Sequence, residues 1–493
     1  MSNNRFPTNV DMLIALLCIG FYAAMAVLSE GFVEPDEMSH FMKSMDALQH
    51  WHYVLDIWGR PFCIAYYAIG VPWGITFSRF LSIAASILTA LGTIRLAYHF
   101  LDLTPGYFRS YRSWLWLLLF AQPYFMLQSF SVMTEILLSC FWIWAAVAVA
   151  HNRWLIAGLL VGLSGLTRPE GSLAVAAWPL FLIFSQSHLN LRLPKLFASS
   201  AVAIVPSFTW WVAGMHVFGG WNWFITHWPW AVESVYGKTP VEAVLAVLNA
   251  ANFWMIIPIV SGLFIILKKN SIGYELRKRS IILLLIPVGS IFMLHFLLGV
   301  LGLFGSLSLP RYYITVSPFL AIIAWIGIEG IRHQIQYTGM VKWILIIIIL
   351  LIPSRAIYMM DHGTLPFPKH CDQVKLELMI NWFMENRNDP HIGMDQQPEN
   401  IVAAHPYVNY VLSGSSNTPG SLRLFNSGGI KTAPAGTVLF VEDGVWKKNG
   451  FPSIDSIFRW NYTRVQDTRL DKQLADACDN DPLHEDMNIF VKK

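Results

Sequence analysis

The sequence predicts an α-helical polytopic membrane protein of about eleven transmembrane helices, followed by a small soluble α/β domain at its C-terminal end. Three observations carry this. Of the 493 residues, 55% are hydrophobic and only 13% charged, and the mean hydropathy is +0.47, a balance that water alone supports poorly. The apolar residues are gathered into runs long enough to cross a bilayer. From about Asp361 the composition turns polar, with Pro366 and Pro368 punctuating the change. The net charge of +3 carries no nucleic-acid footprint, so the placement of the charges matters more than their sum.

In chain order, the predicted spans lie near 11–28, 77–99, 113–130, 134–150, 154–166, 170–185, 196–217, 248–267, 280–303, 312–329 and 341–357, with 62–74 a candidate half-span. The first run lacks a small-residue cleavage site and is followed by further spans, so it reads as a signal anchor. Residues 1–360, including the loop 29–76, form the predicted membrane domain, and residues 361–493 the soluble one. Within the latter, the segment from Asp372 to Arg387 has helical periodicity, while 401–404 and 437–441 read as short buried strands. No internal repeat is visible. Cys18, Cys63 and Cys140 fall in or beside apolar runs as core residues; Cys371 and Cys478 lie in the polar tail and are the pair available for a disulfide on an oxidising side.

Lys and Arg in short loops set the orientation. Arg95, Arg109, Arg112, Arg153, Arg192, Lys195, Lys268, Lys269, Arg277, Lys278, Arg279, Arg332 and Lys342 all fall on one face, which is therefore cytoplasmic. The opposite face receives the loop 29–76, the turns 131–135, 167–171 and 304–311, the loop 218–247 and the tail.

That opposite face holds the candidate chemistry. Glu34-Pro35-Asp36-Glu37 sets three carboxylates just after the first span, and His40 follows Asp36 by one helical turn. Pro35 suits a helix start, so Asp36 and Glu37 read either as helix-dipole partners or as a general base reachable from water. Glu135 opens the fourth span, with Thr134 as its candidate cap or with a binding role for the acid. Thr167-Arg168-Pro169-Glu170-Gly171 breaks two short apolar runs, and such a break must line a cavity or be buried in protein. Arg168 there suits either a phosphate or an ion pair with Glu170. Arg60 in Gly59-Arg60-Pro61 and Arg311 in Pro310-Arg311-Tyr312-Tyr313 repeat the pattern of an arginine beside Pro and aromatics. His227 sits among Trp221, Trp223, Trp228 and Trp230, an interfacial belt or a sugar-stacking surface. No phosphate loop, dinucleotide fingerprint, HExxH or nucleophile elbow occurs in the sequence, which argues against nucleotide-driven pumping and zinc or serine hydrolysis.

In the order and common sidedness of Pro35-Asp36-Glu37, Gly59-Arg60-Pro61, Met133-Thr134-Glu135, Thr167-Arg168-Pro169-Glu170 and Pro310-Arg311-Tyr312-Tyr313, the membrane part resembles the GT-C superfamily of polyprenyl-phosphate-sugar-dependent glycosyltransferases, in particular the dolichyl-phosphate-mannose-dependent mannosyltransferases. The resemblance implies an inverting transfer from a polyprenyl- or dolichyl-phosphate sugar to a glycan, lipid or protein hydroxyl, with mannose the first choice of sugar and glucose, aminoarabinose or arabinofuranose as alternatives. Asp36 becomes the base, with Glu37 and Glu135 the next candidates. Arg168, with Arg60 or Arg311, becomes the partner of the departing phosphate. No cofactor and no metal are expected, because arginines can carry the charge of a monophosphate leaving group. Glu34 departs from the eukaryotic pattern, and the Arg-Pro-Glu-Gly turn is closer to bacterial lipid-linked sugar transferases. The membrane is accordingly a bacterial inner membrane with a periplasmic active face, or an endoplasmic reticulum membrane with a lumenal one. The competing class is a transporter or flippase of lipid-linked saccharides, which would favour repeated halves and charges near the midplane.

Single cysteines introduced beside Glu34 and in the tail will react with a membrane-impermeant thiol reagent applied to the non-cytoplasmic side. Labelling from the cytoplasmic side would reverse the orientation.

Overall fold

The computed structural model describes residues 9–103, 113–189, 192–229, 239–251, 253–268, 274–303, 309–334, 351, 354–386, 401–413, 427–442, 446, 451–477 and 487–493. These divide into two compact units. The first comprises residues 1–28 and 43–366, and the second residues 29–42 and 367–493.

The first unit is helical. Its described helices are α1 (Asn9–Leu28), the later part of α2 (Pro35–Gln49), α3 (Pro61–Ala68), α4 (Gly74–Leu103), α5 (Ser113–Phe120), α6 (Pro123–Ser129), α7 (Glu135–Ala150), α8 (Trp154–Ser164), α9 (Pro169–Leu189), α10 (Leu193–Phe218), α11 (Trp223–Thr226), α12 (Pro240–Ala251), α13 (Ile256–Leu267), α14 (Tyr274–Ser280), α15 (Ile286–Leu301), α16 (Ser317–Gln334) and α17 (Ser354–Asp361). Among the described residues, four helices are long and apolar enough to cross a membrane: 71–101, 193–218, 276–301 and 310–331. Shorter apolar helices cover 12–28, 135–150, 154–164 and 169–185.

Two predicted spans are not straight. The run 113–130 is broken between α5 and α6, where Pro123 at the start of α6 cannot continue the donor ladder. The run near 248–267 belongs to two helical segments, 240–251 and 253–267, bent by 86°. The predicted last span, 341–357, lies largely outside the described residues.

Small residues set the helix packing. A side chain at Gly262 would strike the Ile323 carbonyl, and one at Gly327 the Pro258 carbonyl, so α13 and α16 meet backbone to backbone. Gly158 and Gly162 do the same for α8 against Ser199 and Ala203 of α10. Close approach gains dispersion contacts where lipid tails remove any hydrophobic drive for helices to associate. Large apolar side chains such as Leu16, Leu180, Phe197, Phe208 and Phe264 point outward and are more than half exposed, as a lipid-facing surface requires.

The second unit is α/β. Its sheet has strand order β1 (Ile401–Ala403), β2 (Val438–Glu442), β4 (Met487–Lys492), β3 (Tyr462–Arg464), with β1 and β2 parallel and the other neighbours antiparallel. Every residue of β2 is buried, so the strand is covered on both faces. Leu439 and Val441 join Val402, Ile457 and Phe490 in one core, and Phe440 meets Phe383 of the helix Cys371–Asn386 edge-on. Residues 29–42 belong to this unit as well: Glu30 and Gly31 donate to the Phe367 carbonyl at 3.1 and 3.0 Å, and Phe32 and Phe41 pack edge-on against Tyr410. Part of the loop that the sequence assigns to the membrane domain is thus built into the tail's compact unit. Cys371 is disulfide-bonded; Cys478 lies outside the described residues.

A buried pair ties this unit's main helix to its sheet. His405, 1% exposed, accepts the Tyr407 N–H at Nδ1 (3.2 Å), which leaves the proton on Nε2 to donate to Asp372 Oδ2 at 3.0 Å. Burial raises the Asp372 carboxyl, but the hydrogen bond from His405, with the Gln373 N–H, outweighs it and holds the group below the usual range. A depressed carboxyl contributes stability that is fully present above its unfolded value of about 3.9 and is lost as pH falls through the folded one. Asp372→Ala in the full-length protein will therefore cost this unit roughly 1.5–3 kcal/mol at neutral pH. The gap from wild type, followed by limited proteolysis, will close below about pH 4; a gap that widens there would refute the assignment.

Candidate active site

The break between α8 and α9 puts charge inside the helical unit. Pro169 opens α9, and a side chain at Gly171 would run into the Ser164 carbonyl, so the chain can turn back on α8 only with glycine there. The turn carries Arg168 to the start of α7. Its guanidinium forms a fork with Glu170, Nε to Oε2 at 3.1 Å and Nη2 to Oε1 at 2.9 Å. Nη1 meets Glu135 Oε1 at 2.6 Å and donates to Thr134 Oγ1 at 2.9 Å. Those four contacts occupy most of the five N–H donors of an arginine.

Thr134 does not cap α7, although it holds the cap position. Its hydroxyl accepts from Arg168 and faces Glu135 Oε2 at 3.3 Å. A cap would have served the backbone of α7; the hydroxyl serves the ion network instead.

Arg311 approaches the same Glu135 oxygen, Nε to Oε1 at 3.7 Å. It belongs to a 3₁₀ segment, Pro310–Val316, that leads into α16. Tyr312 of that segment lies under both guanidiniums, with Arg168 at 5.3 Å and Arg311 at 5.5 Å from its ring centroid. Arg60, 1% exposed, reaches the same region from the residue before α3, with Nη1 3.4 Å from Ser172 Oγ on the first turn of α9 and its guanidinium 5.3 Å from the Trp210 ring. Its φ of +65° is an uncommon backbone state for a residue with a side chain, and such states persist where surrounding contacts over-determine them.

One member was not foreseen in the sequence. His295 of α15, buried, places Nε2 3.1 Å from Glu170 Oε1 and stacks on Tyr312 with centroids 5.0 Å apart. A lone histidine in an apolar run carries little pattern, but a polar residue at membrane depth is itself a signal.

Beside this cluster runs an apolar cavity of about 300 Å³. Trp142, Trp178, Phe181, Leu294 and Phe319 line it, with Glu170 as the charged group in its wall.

The remaining predicted site residues stand on other elements. Asp36 and Glu37 form the first turn of α2, in the second unit. Glu37 is buried and accepts the Val33 N–H at 2.8 Å, a helix-start contact, while Asp36 is half-buried. His40 is buried on the same helix. His227 is exposed in an aromatic corner, bonded through Nδ1 to the Trp223 carbonyl at 3.0 Å and packed on Phe218. Among the described residues, no three His, Cys, Asp or Glu side chains converge as metal ligands would.

No protein-family model and no curated protein matches the chain in sequence. Its structure, however, is similar to the crystal structure of ArnT from Cupriavidus metallidurans bound to undecaprenyl phosphate, with a TM-score of 0.61 at 11% identity over 98% of this chain and 97% of that one. The apo state of the same protein gives a TM-score of 0.58 at 12% identity over 89% and 94%. The chain shares the fold of these structures, the GT-C fold.

Proposed function

We propose that this protein is an inverting membrane glycosyltransferase that moves a sugar from a polyprenyl-phosphate carrier to a hydroxyl acceptor on the non-cytoplasmic face. The observation that carries the reading is the buried cluster of Arg168, Arg311, Glu135 and Glu170, whose member Glu170 also lines the apolar cavity. A carrier lipid needs that combination, an apolar surface for its chain beside fixed cations for its phosphate. The fold shared with ArnT, which binds undecaprenyl phosphate, supports it further.

In this reading the acceptor oxygen attacks the anomeric carbon while Asp36 removes its proton. The bond from that carbon to the phosphate oxygen breaks, and the phosphate leaves with the electron pair. Asp36 is preferred to Glu37 because it is half-buried, whereas Glu37 is fully buried. Charge sorting along the sequence sets Asp36, Glu135, Arg168 and Arg311 on one face of the membrane. Arg168 is held by Glu170 on one edge and by Glu135 and Thr134 on another. A fixed cation stabilises the negative charge growing on the leaving phosphate without reorganising. Arg311 and Arg60 add to the same field. Mannose is the first sugar to offer.

A panel of polyprenyl-phosphate sugars, supplied to the purified protein with hydroxyl acceptors, tests the reading. Asp36→Asn will bind donor and lower kcat by about 10²–10⁴-fold; transfer at the wild-type rate would remove Asp36 as base. Arg168→Lys keeps the charge but cannot form the fork with Glu170, and will lower kcat roughly 10²-fold or more. Movement of intact donor across liposomes without sugar transfer would favour a flippase.

A further inference from the structure

We infer that His295 is the positioning residue through which the donor's lipid chain sets the rate of transfer. This rests on the transferase reading above and adds a coupling that reading does not require.

The helix that carries His295 is also a wall of the apolar cavity. Pro287, Ser290, Ile291 and Leu294 of α15 all line it. Pro287, Ile291 and His295 are spaced four residues apart, so the lining stripe continues by one turn directly into the imidazole. At that end His295 touches the cluster by two routes. Its Nε2 lies 3.1 Å from Glu170 Oε1, the oxygen that also receives Arg168 Nη2 at 2.9 Å. Its ring stacks on Tyr312, the platform for both Arg168 and Arg311, and meets Tyr313 edge-on with centroids 5.7 Å apart.

The other end of α15 is built to yield. Ile281–Leu285 is a π-helical turn, and Pro287 lacks the N–H that would tie the next turn to it. Packing along the cavity thus bears on a helix whose start is loosely laddered and whose buried histidine contacts the phosphate-facing charges. A chain filling the cavity fixes α15, and α15 fixes Glu170 and Tyr312 under the arginines. Energy from the unreactive part of the donor is then expressed as geometry at the reacting end, which raises kcat rather than only lowering KM.

The experiment compares a full-length polyprenyl-phosphate sugar with an analogue truncated to about two isoprene units, using the sugar that the panel identifies. Wild type will turn over the long donor with kcat at least roughly tenfold above the short one. His295→Phe keeps a ring on Tyr312 but deletes the contact to Glu170, and will abolish that ratio by slowing the long donor. His295→Gln retains a donor toward Glu170 and will restore most of it. Equal slowing of both donors by His295→Phe would mark a merely structural residue and overturn the inference while leaving the transferase reading intact. Equal kcat for both donors in wild type would overturn it without any variant, whatever the variants' folding. A wild-type protein that consumes neither donor would sink the transferase reading and this inference with it.

Discussion

The rest of the helical unit depends on one buried ion network, the guanidinium of Arg168 held between Glu170 and Glu135. Taking such groups out of water costs several kcal/mol per ion, and their mutual attraction offsets that cost only when the geometry is good and the remaining donors are satisfied. Here the geometry is a fork on one side and a shared hydroxyl on the other, supplied by the starts of two helices and the turn that links α8 to α9. Each carboxylate sits in the first turn of its helix, Glu135 in α7 and Glu170 in α9, where the helix dipole favours negative charge. The arginine therefore does not hold the helices together so much as it makes their two acidic starts compatible. Without it, two carboxylates would face each other in a poorly solvated interior.

The network constrains the backbone in turn. Arg168 reaches Thr134 and Glu135 only because the chain reverses sharply, and it can reverse only because Gly171 has no side chain to collide with the Ser164 carbonyl. Pro169 fixes the first residue of α9 at an angle suited to a helix start while removing an N–H that would have had no helical partner. The broken segment is expensive in lipid and cheap where protein surrounds it. Thr167, buried, returns its hydroxyl to the Ser164 carbonyl at 2.6 Å and accepts the Cys63 thiol at its own carbonyl, so the loosened groups find partners within the protein.

Much of this was legible in the sequence, for a stated reason. A charged residue at the edge of an apolar run is costly enough to imply a partner, and that singled out Glu135, Arg168, Glu170 and Arg311, which the structure brings together. Two of the tail's four described strands were legible because 401–403 and 438–442 are runs of β-branched and apolar residues too short for helices; β3 and β4 were not read from the sequence. Thr134 was misleading, because Thr before Glu at a helix start fits a cap equally well, and only the position of Arg168 decides between the two. His295 was silent because its neighbours are all apolar and its partner lies far away in the chain. The inclusion of residues 29–42 in the tail's unit was hidden for the same reason. It rests on Phe32 and Phe41 meeting Tyr410, contacts between residues too far apart in the chain for any local pattern to report.

Tyr312 shows how the polar and apolar halves of the site are reconciled. Its ring presents one electron-rich surface to two guanidiniums and stacks with the imidazole of His295. Stacking of a cation on an aromatic face is worth about 0.5–2 kcal/mol, more as water is excluded. That is small beside the ion pairs; it adds to the fork that already sets the plane of the Arg168 guanidinium, and it gives Arg311, whose Nε approaches Glu135 at 3.7 Å, a further contact. Tyr312 thereby ties the charged residues to the 3₁₀ segment and, through His295, to α15, so the polar cluster and the apolar helix that borders the cavity share one ring.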